Sequence, residues 1–169
     1  DSQASIMLFD LGGKALTVRA APSMSKDMIE QLNGLKPGRH AGSCGAAVFT
    51  GKPQYVCDTS NDQRWDDFSA YVEKFDIKSC WSMPIVNSTN DVIGSFALSS
   101  FECRAPNHFQ EMLLQTASYL ASIILTRESE ENELNRAAHF DYLTGLPNRS
   151  YFTLRAEQAI AHSKRRKGD

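Results

Sequence analysis

The chain has 169 residues, 41% hydrophobic and 22% charged, with a formal net charge of −2. That length suits one domain of ordinary size plus an appendage and is short for two full domains, and the composition excludes wholesale disorder. The balance of charge argues against a broad nucleic-acid surface, no apolar run approaches the ~18 residues of a membrane span, and no basic region followed by an apolar stretch marks a secretion signal.

Residues 4–9 are apolar and end at Asp10-Leu11-Gly12-Gly13; residues 14–20 then resume an extended pattern. Two such runs around a Gly-containing turn predict a β-hairpin. Ser25 before and Gly34 after bracket a short helix over 26–33. The Gly-rich segment 34–51 contains a second short helix through Ala46, Ala47, Val48 and Phe49, with Ser43 as its cap and Gly51 as its stop. A strand over 54–57 and a polar loop over 58–63 follow. Trp65, Phe68, Val72 and Phe75 fall at helical spacing and predict one helix over 65–75.

Residues 80–86 and 92–99 predict a second hairpin around the polar turn 87–91. Trp81, Met83 and Ile85 share one face of its first strand, and Cys80, Ser82, Pro84 and Val86 share the other. Pro84 has no N–H to give a ladder, so a bulge or an unpaired position is expected there. A long helix then runs from Pro106 to about Ala138 with two apolar stripes. Phe109, Met112, Leu113, Ala117, Leu120 and Ile124 form the first, assigned to the sheet; Leu114, Ala121 and Leu125 form the second, assigned to the same helix of another subunit. Residues 127–133 are a polar continuation without a breaker. After the punctuation at Gly145 and Pro147, Asn148 caps a last helix carrying Phe152, Ala156, Ala159 and Ile160 on one side. The basic cluster at 164–167 reads as a solvated helix end.

None of the four cysteines, Cys44, Cys57, Cys80 and Cys103, forms a CxxC pair, so metal-site spacing is absent. Buried free thiols fit a cytoplasmic protein.

Four blocks carry a resemblance: Gly42-Ser43-Cys44-Gly45-Ala46-Ala47-Val48; Val56-Cys57-Asp58 leading to Trp65; Cys80-Trp81-Ser82-Met83-Pro84-Ile85; and Val92-Ile93-Gly94-Ser95-Phe96-Ala97-Leu98. In this order they resemble the GAF family of sensory domains. The resemblance implies an α+β fold, an antiparallel sheet with helices on both sides and a ligand cavity on one face, followed here by a long C-terminal connector helix. Asp141-Tyr142-Leu143-Thr144-Gly145-Leu146-Pro147-Asn148-Arg149 resembles the entry motif of the GGDEF domain, the diguanylate cyclase family, and Phe152 continues it. The expected division is a sensory domain over 1–126, a connector over 127–140, and the start of a cyclase domain over 141–169. GTP and magnesium belong to the part of that family's domain beyond this segment, so no cyclase activity is expected of these residues themselves. The resemblance implies regulation of cyclic-di-GMP synthesis, a small-molecule ligand of unknown identity, a homodimer, and no resident cofactor or metal.

Asp58, Trp65, Trp81 and Ser82 are the candidate ligand-binding residues, because aromatic walls and a few polar groups make small-molecule pockets. Trp65 and Trp81 serve equally well as core, and a loop cap is the plainer role for Asp58. Two other functions stand beside sensing. One is a ligand-free dimerisation spacer. The other resembles the GAF-type free methionine sulfoxide reductases, with Cys44 in a Gly-x-Cys-Gly turn and Cys80 as the second thiol, although Cys80 lies only four residues before Pro84, unlike that family's pattern. His40, in a loop near the expected cavity, is the one histidine placed to ligate haem, and a solvated loop histidine is the plainer reading.

Overall fold

The computed structural model describes residues 2–166, with side chains through Ile160; the side chains of the basic cluster at 164–167 lie outside the described residues. Five strands form one antiparallel sheet: β1 (Ser2–Phe9), β2 (Leu16–Ala20), β3 (Gln54–Val56), β4 (Ser79–Val86) and β5 (Val92–Ser100), in the order β2-β1-β5-β4-β3. The first hairpin closes as its sequence predicts. The Asp10 carboxylate accepts the N–H groups of Lys14 at 3.0 Å and Ala15 at 3.4 Å, which pins the turn. In the second hairpin Asn87 Oδ1 does the same work, accepting from the N–H groups of Thr89 and Asp91. Pro84 lies in regular register opposite Ser95, and the irregularity falls one residue later, between Ile85 and Val86. β3 pairs only as far as Ser82, so β4 is an edge on that side at Pro84, a setting that tolerates a missing N–H.

Strand alternation sorts the sheet into two faces. One carries Met7, Cys80, Ser82, Ser95, Ala97 and Ser99; the other carries Trp81, Ile85, Phe96 and Leu98. Over the first face lie α1 (Lys26–Leu32), α2 (Gly42–Thr50), a 3-10 turn (Gln63–Phe68) and α3 (Ser69–Phe75). Ser25 caps α1 as expected, its Oγ accepting from Met28 N at 3.2 Å. The single helix expected over 65–75 is two pieces: Asp62 caps the 3-10 turn, and the backbone leaves helical geometry at Phe68 before α3 begins. The core beneath them joins Met28, Val56, Trp65, Tyr71, Val72, Ile77, Cys80 and Ala97.

The second face is covered by residues 108–124 of α4 (His108–His139), and here the assignment of its stripes is reversed. Leu114 is fully buried, and Ser118 and Ser122 donate to the carbonyls of Pro84 and Val86 on β4. The richer stripe faces outward: Phe109 and Ile124 are each 63% exposed, and Met112, Leu113 and Leu120 are exposed with them. The physical reason is space. The buried face of the sheet already carries large side chains, Trp81, Ile85, Phe96 and Leu98, so the helix meets it with small residues whose hydroxyls satisfy strand carbonyls.

The chain divides into two compact units, Asp1–Ile124 and Leu125–Asp169. In the second unit the loop after α4 is held by its own side chains. Asp141 Oδ1 accepts from the N–H and hydroxyl of Thr144, Gly145 N donates to Asp141 O, and Asn148 Nδ2 donates to Ala138 O. Asn148 Oδ1 accepts from Tyr151 N and so caps α5 (Arg149–Arg166), as its sequence position predicts. Tyr142, Leu143, Leu146 and Phe152 stay exposed.

Candidate functional site

A buried polar grouping lies where the start of α2 meets β4 and β5. Gly42 opens α2 at φ +61°, a conformation that suits glycine, and lays the helix start beneath the Trp65 ring. Ser43 does not cap α2; the cap position is Ala41, with no side-chain bond. The Ser43 hydroxyl is instead fully buried, donates to Cys80 O at 2.9 Å and accepts from Trp65 Nε1 at 3.1 Å. One serine thus ties α2, β4 and the 3-10 turn together. Its replacement by alanine leaves a buried N–H and a buried carbonyl without that partner, and should lower stability by about 1–3 kcal/mol. A urea titration in which the midpoint falls with unchanged slope would show this; an unmoved midpoint would count against the bridge.

Next to Ser43, Cys44 Sγ lies 3.4 Å from Ser82 Oγ, Cys80 Sγ lies 3.9 Å from the same oxygen, and Ser99 Oγ donates to Cys80 Sγ at 3.6 Å. The two thiols thus meet at the one hydroxyl of Ser82. The neighbouring Cys80, then burial, pushes the Cys44 thiol up. Cys80 is pulled down, first by its neighbour Cys44 and then by the Ser99 and Ser82 hydroxyls, against the opposing effect of burial. The Tyr71 and Ser95 hydroxyls are buried without partners, and burial pushes the Tyr71 phenol up. The grouping is made of thiols, hydroxyls and an indole N–H, with no carboxylate or cation among them.

The four residues expected to line a cavity are separated by the fold. Trp65 is 6% exposed and Ser82 is fully buried, and both belong to this grouping through Ser43 and the two thiols. Trp81 lies on the opposite face of the sheet, where the Arg104 guanidinium stands 4.9 Å from its ring. A single cavity wall holding both Trp81 and Ser82 is therefore corrected: adjacent residues of a strand point to opposite faces. Asp58 uses its carboxylate within its own loop, accepting from Asn61 Nδ2 at 2.7 Å and Ser60 N at 3.0 Å, and these bonds hold it below the usual carboxylate range. His40 Nδ1 lies 3.0 Å from Gln63 O, beside a surface groove of about 630 Å³ that Arg39, Gln54 and Arg64 also line. A smaller cleft of about 240 Å³ opens at Thr59, Trp65, Ser69 and Glu73. Among the described residues, no group of three or more His, Cys, Asp or Glu is placed to hold a metal ion, and no helix is long and apolar enough to cross a membrane.

The sequence reading missed Ser43 as a bridge, and missed Tyr71, Ser95 and Ser99. A signal for the last two was present: serines at 95 and 99 alternate with Phe96 and Leu98 in a largely apolar strand, on the side shared with Cys80 and Ser82.

The GAF domain model matches residues 2–125. The chain is 30% identical over 121 residues to the methyl sulfide methyltransferase-associated sensor of Methanosarcina acetivorans, an alignment that covers 72% of this chain and only 12% of that protein. Among solved structures it is similar to a domain assigned to a two-component sensor histidine kinase protein of Sinorhizobium meliloti 1021, with a TM-score of 0.64 at 18% identity over 80% of this chain and 85% of that one. It is also similar to the type II free methionine-R-sulfoxide reductase of Thermoplasma acidophilum, with a TM-score of 0.56 at 16% identity over 74% and 79% of the two chains. At these identities the two structures speak for the fold.

Proposed function

The chain belongs to the GAF domain family, and on that premise we propose that it is a regulatory, small-molecule-sensing module that controls a diguanylate cyclase domain following it. The observation that carries the sensing reading is the buried polar grouping at α2, β4 and β5, with the Tyr71 and Ser95 hydroxyls unpaired. Buried polar groups are normally satisfied, so orphaned ones mark a place that a ligand or water completes. The cyclase reading is supported by residues 141–149: Asp141, Thr144 and Asn148 are spent on shaping the turn, and the apolar Tyr142, Leu143 and Leu146 remain exposed for a larger domain to cover.

The route of transmission runs through β4. Cys80 and Ser82 face the polar grouping, while the Pro84 and Val86 carbonyls of the same strand accept from Ser118 and Ser122 of α4. A ligand that prefers one position of β4 shifts α4 by that difference in affinity. The outward stripe of α4, Phe109, Met112, Leu113, Leu120 and Ile124, pairs with the same helix of a second copy. Sedimentation at micromolar concentration should then give a dimer, and Leu120→Glu with Ile124→Glu a monomer; a monomeric parent chain would remove the dimer from the proposal. Cyclic-di-GMP synthesis by the protein extended through its cyclase domain should change on substitution of Ser82 by leucine, and a rate indifferent to that change would overturn the control.

A second reading is a ligand-free spacer, favoured by Trp65 and Phe68, which fill the α2 face with ring centroids 6.0 Å apart. Native mass spectrometry of protein taken from cells separates the two: a retained small molecule supports sensing, and a bare mass supports the spacer. The adjacency of Cys44 and Cys80 keeps the reductase reading in view, and thiol-dependent turnover of free methionine sulfoxide would establish it.

A further inference from the structure

We infer that Cys44 and Cys80 form a reversible dithiol–disulfide couple, oxidised by hydrogen peroxide, at the junction of α2 and β4. The two residues are far apart in sequence and come from different elements, yet both thiols lie against the single hydroxyl of Ser82, at 3.4 and 3.9 Å. The other two cysteines, Cys57 and Cys103, are exposed. Cys80 is almost fully buried and Cys44 is partly exposed, so a small oxidant approaches from the Cys44 side. The lining of serine hydroxyls carries no charge. An anionic oxidant would lose its hydration there with no counter-ion, whereas neutral peroxide exchanges water hydrogen bonds for those of Ser82, Ser95 and Ser99.

The thiolate is the reactive form of cysteine, and the Ser99 and Ser82 hydroxyls beside the Cys80 sulfur, at 3.6 and 3.9 Å, favour it there. The Cys80 thiolate attacks one oxygen of peroxide and the O–O bond breaks. Cys80 becomes a sulfenic acid, and the departing hydroxide takes up the proton Cys80 released, leaving as water. The Cys44 sulfur then attacks the Cys80 sulfur, the S–O bond breaks, and a second water leaves with the Cys44 proton as the S–S bond forms. Two electrons pass from the two thiols to one peroxide. Closing an S–S bond of about 2.05 Å draws the first turn of α2 onto β4. That this movement reaches an output rests on the sensor reading above, because β4 is also the strand whose carbonyls hold Ser118 and Ser122.

The test uses this chain with its exposed thiols removed, Cys57→Ser with Cys103→Ser, treated with stoichiometric hydrogen peroxide and then alkylated in denaturant. The expected result is a mass lower by two hydrogens, no alkylatable thiol, recovery of both thiols with dithiothreitol, and a Cys44–Cys80 cross-linked peptide. The same peptide is sought in the unsubstituted chain, so the result does not hang on the folding of a variant. With Cys44→Ser added, Cys80 should halt at sulfenic acid and be trapped by dimedone. Two thiols still free after peroxide, or oxygen added without a cross-link, would overturn the couple. In the protein extended through its output domain, a cross-link that forms without changing output would leave the couple standing and overturn the transmission through β4.

Discussion

Replacing Trp65 by alanine should destabilise the sheet domain by about 3–5 kcal/mol, the range for deleting a large buried aromatic. Trp65 packs among Met28, Tyr71 and Val72, sets its ring against Phe68, and lies over the backbone of Gly42. Alanine empties that space and also strips Ser43 Oγ of the N–H it accepts. Phenylalanine is the intermediate case, because it keeps a six-membered ring but loses the hydrogen bond and the rest of the indole; its loss should be about 1–3 kcal/mol. The chain has two tryptophans, so Trp81 remains as the fluorescence probe for urea unfolding in both variants. An alanine variant within about 0.5 kcal/mol of the parent would show that Trp65 is not a core residue.

The second large effect is expected at Gly94, opposite Leu8 where β1 and β5 pair. A Cβ there would stand 2.2 Å from Met7 O and 2.6 Å from Leu8 Cδ2. The first of these is main chain, so the strand itself must move. Alanine should lower stability by about 1–3 kcal/mol, the usual range for overpacking, and valine by more. Gly12→Ala is the control, since its Cβ would meet only the Asp10 carboxylate at an ordinary 3.6 Å. Melting followed by circular dichroism should separate the two glycines by several degrees in Tm. Equal melting temperatures would mean that β1 yields freely and that the close approach carries no energy.

Both effects bear on function, because the same contacts place the polar grouping. Trp65 presses the start of α2 onto β4 through Ser43, and Gly94 lets β1 and β5 approach closely in the strand that carries Ser95 and Ser99. Loosening either should separate Cys44 from Cys80 before it unfolds the sheet.

Local chemistry made much of this fold legible. The Asp10 and Asn87 turns, the Ser25 and Asn148 caps, and the alternation of Cys80 and Ser82 against Trp81 all depend on neighbours within a few residues, and these were readable as such. The long helix was readable too, together with the existence of its two apolar stripes. Its 3.6 periodicity says which residues share a side and nothing of what that side meets.

Tertiary structure decided the rest. Only the packed sheet shows that α4 turns Leu114, Ser118 and Ser122 inward and leaves Phe109 and Ile124 outside, because the room beneath a helix is set by side chains from distant strands. Only the same packing turns Ser43 from an apparent cap into a bridge between α2, β4 and Trp65, and brings Cys44 and Cys80 to one hydroxyl. The sequence by itself determined the elements, the turns and the residue types available for a site. Which of those residues meet was decided by long-range register and close packing, which fix distances between segments whose separation along the chain says nothing about their separation in space.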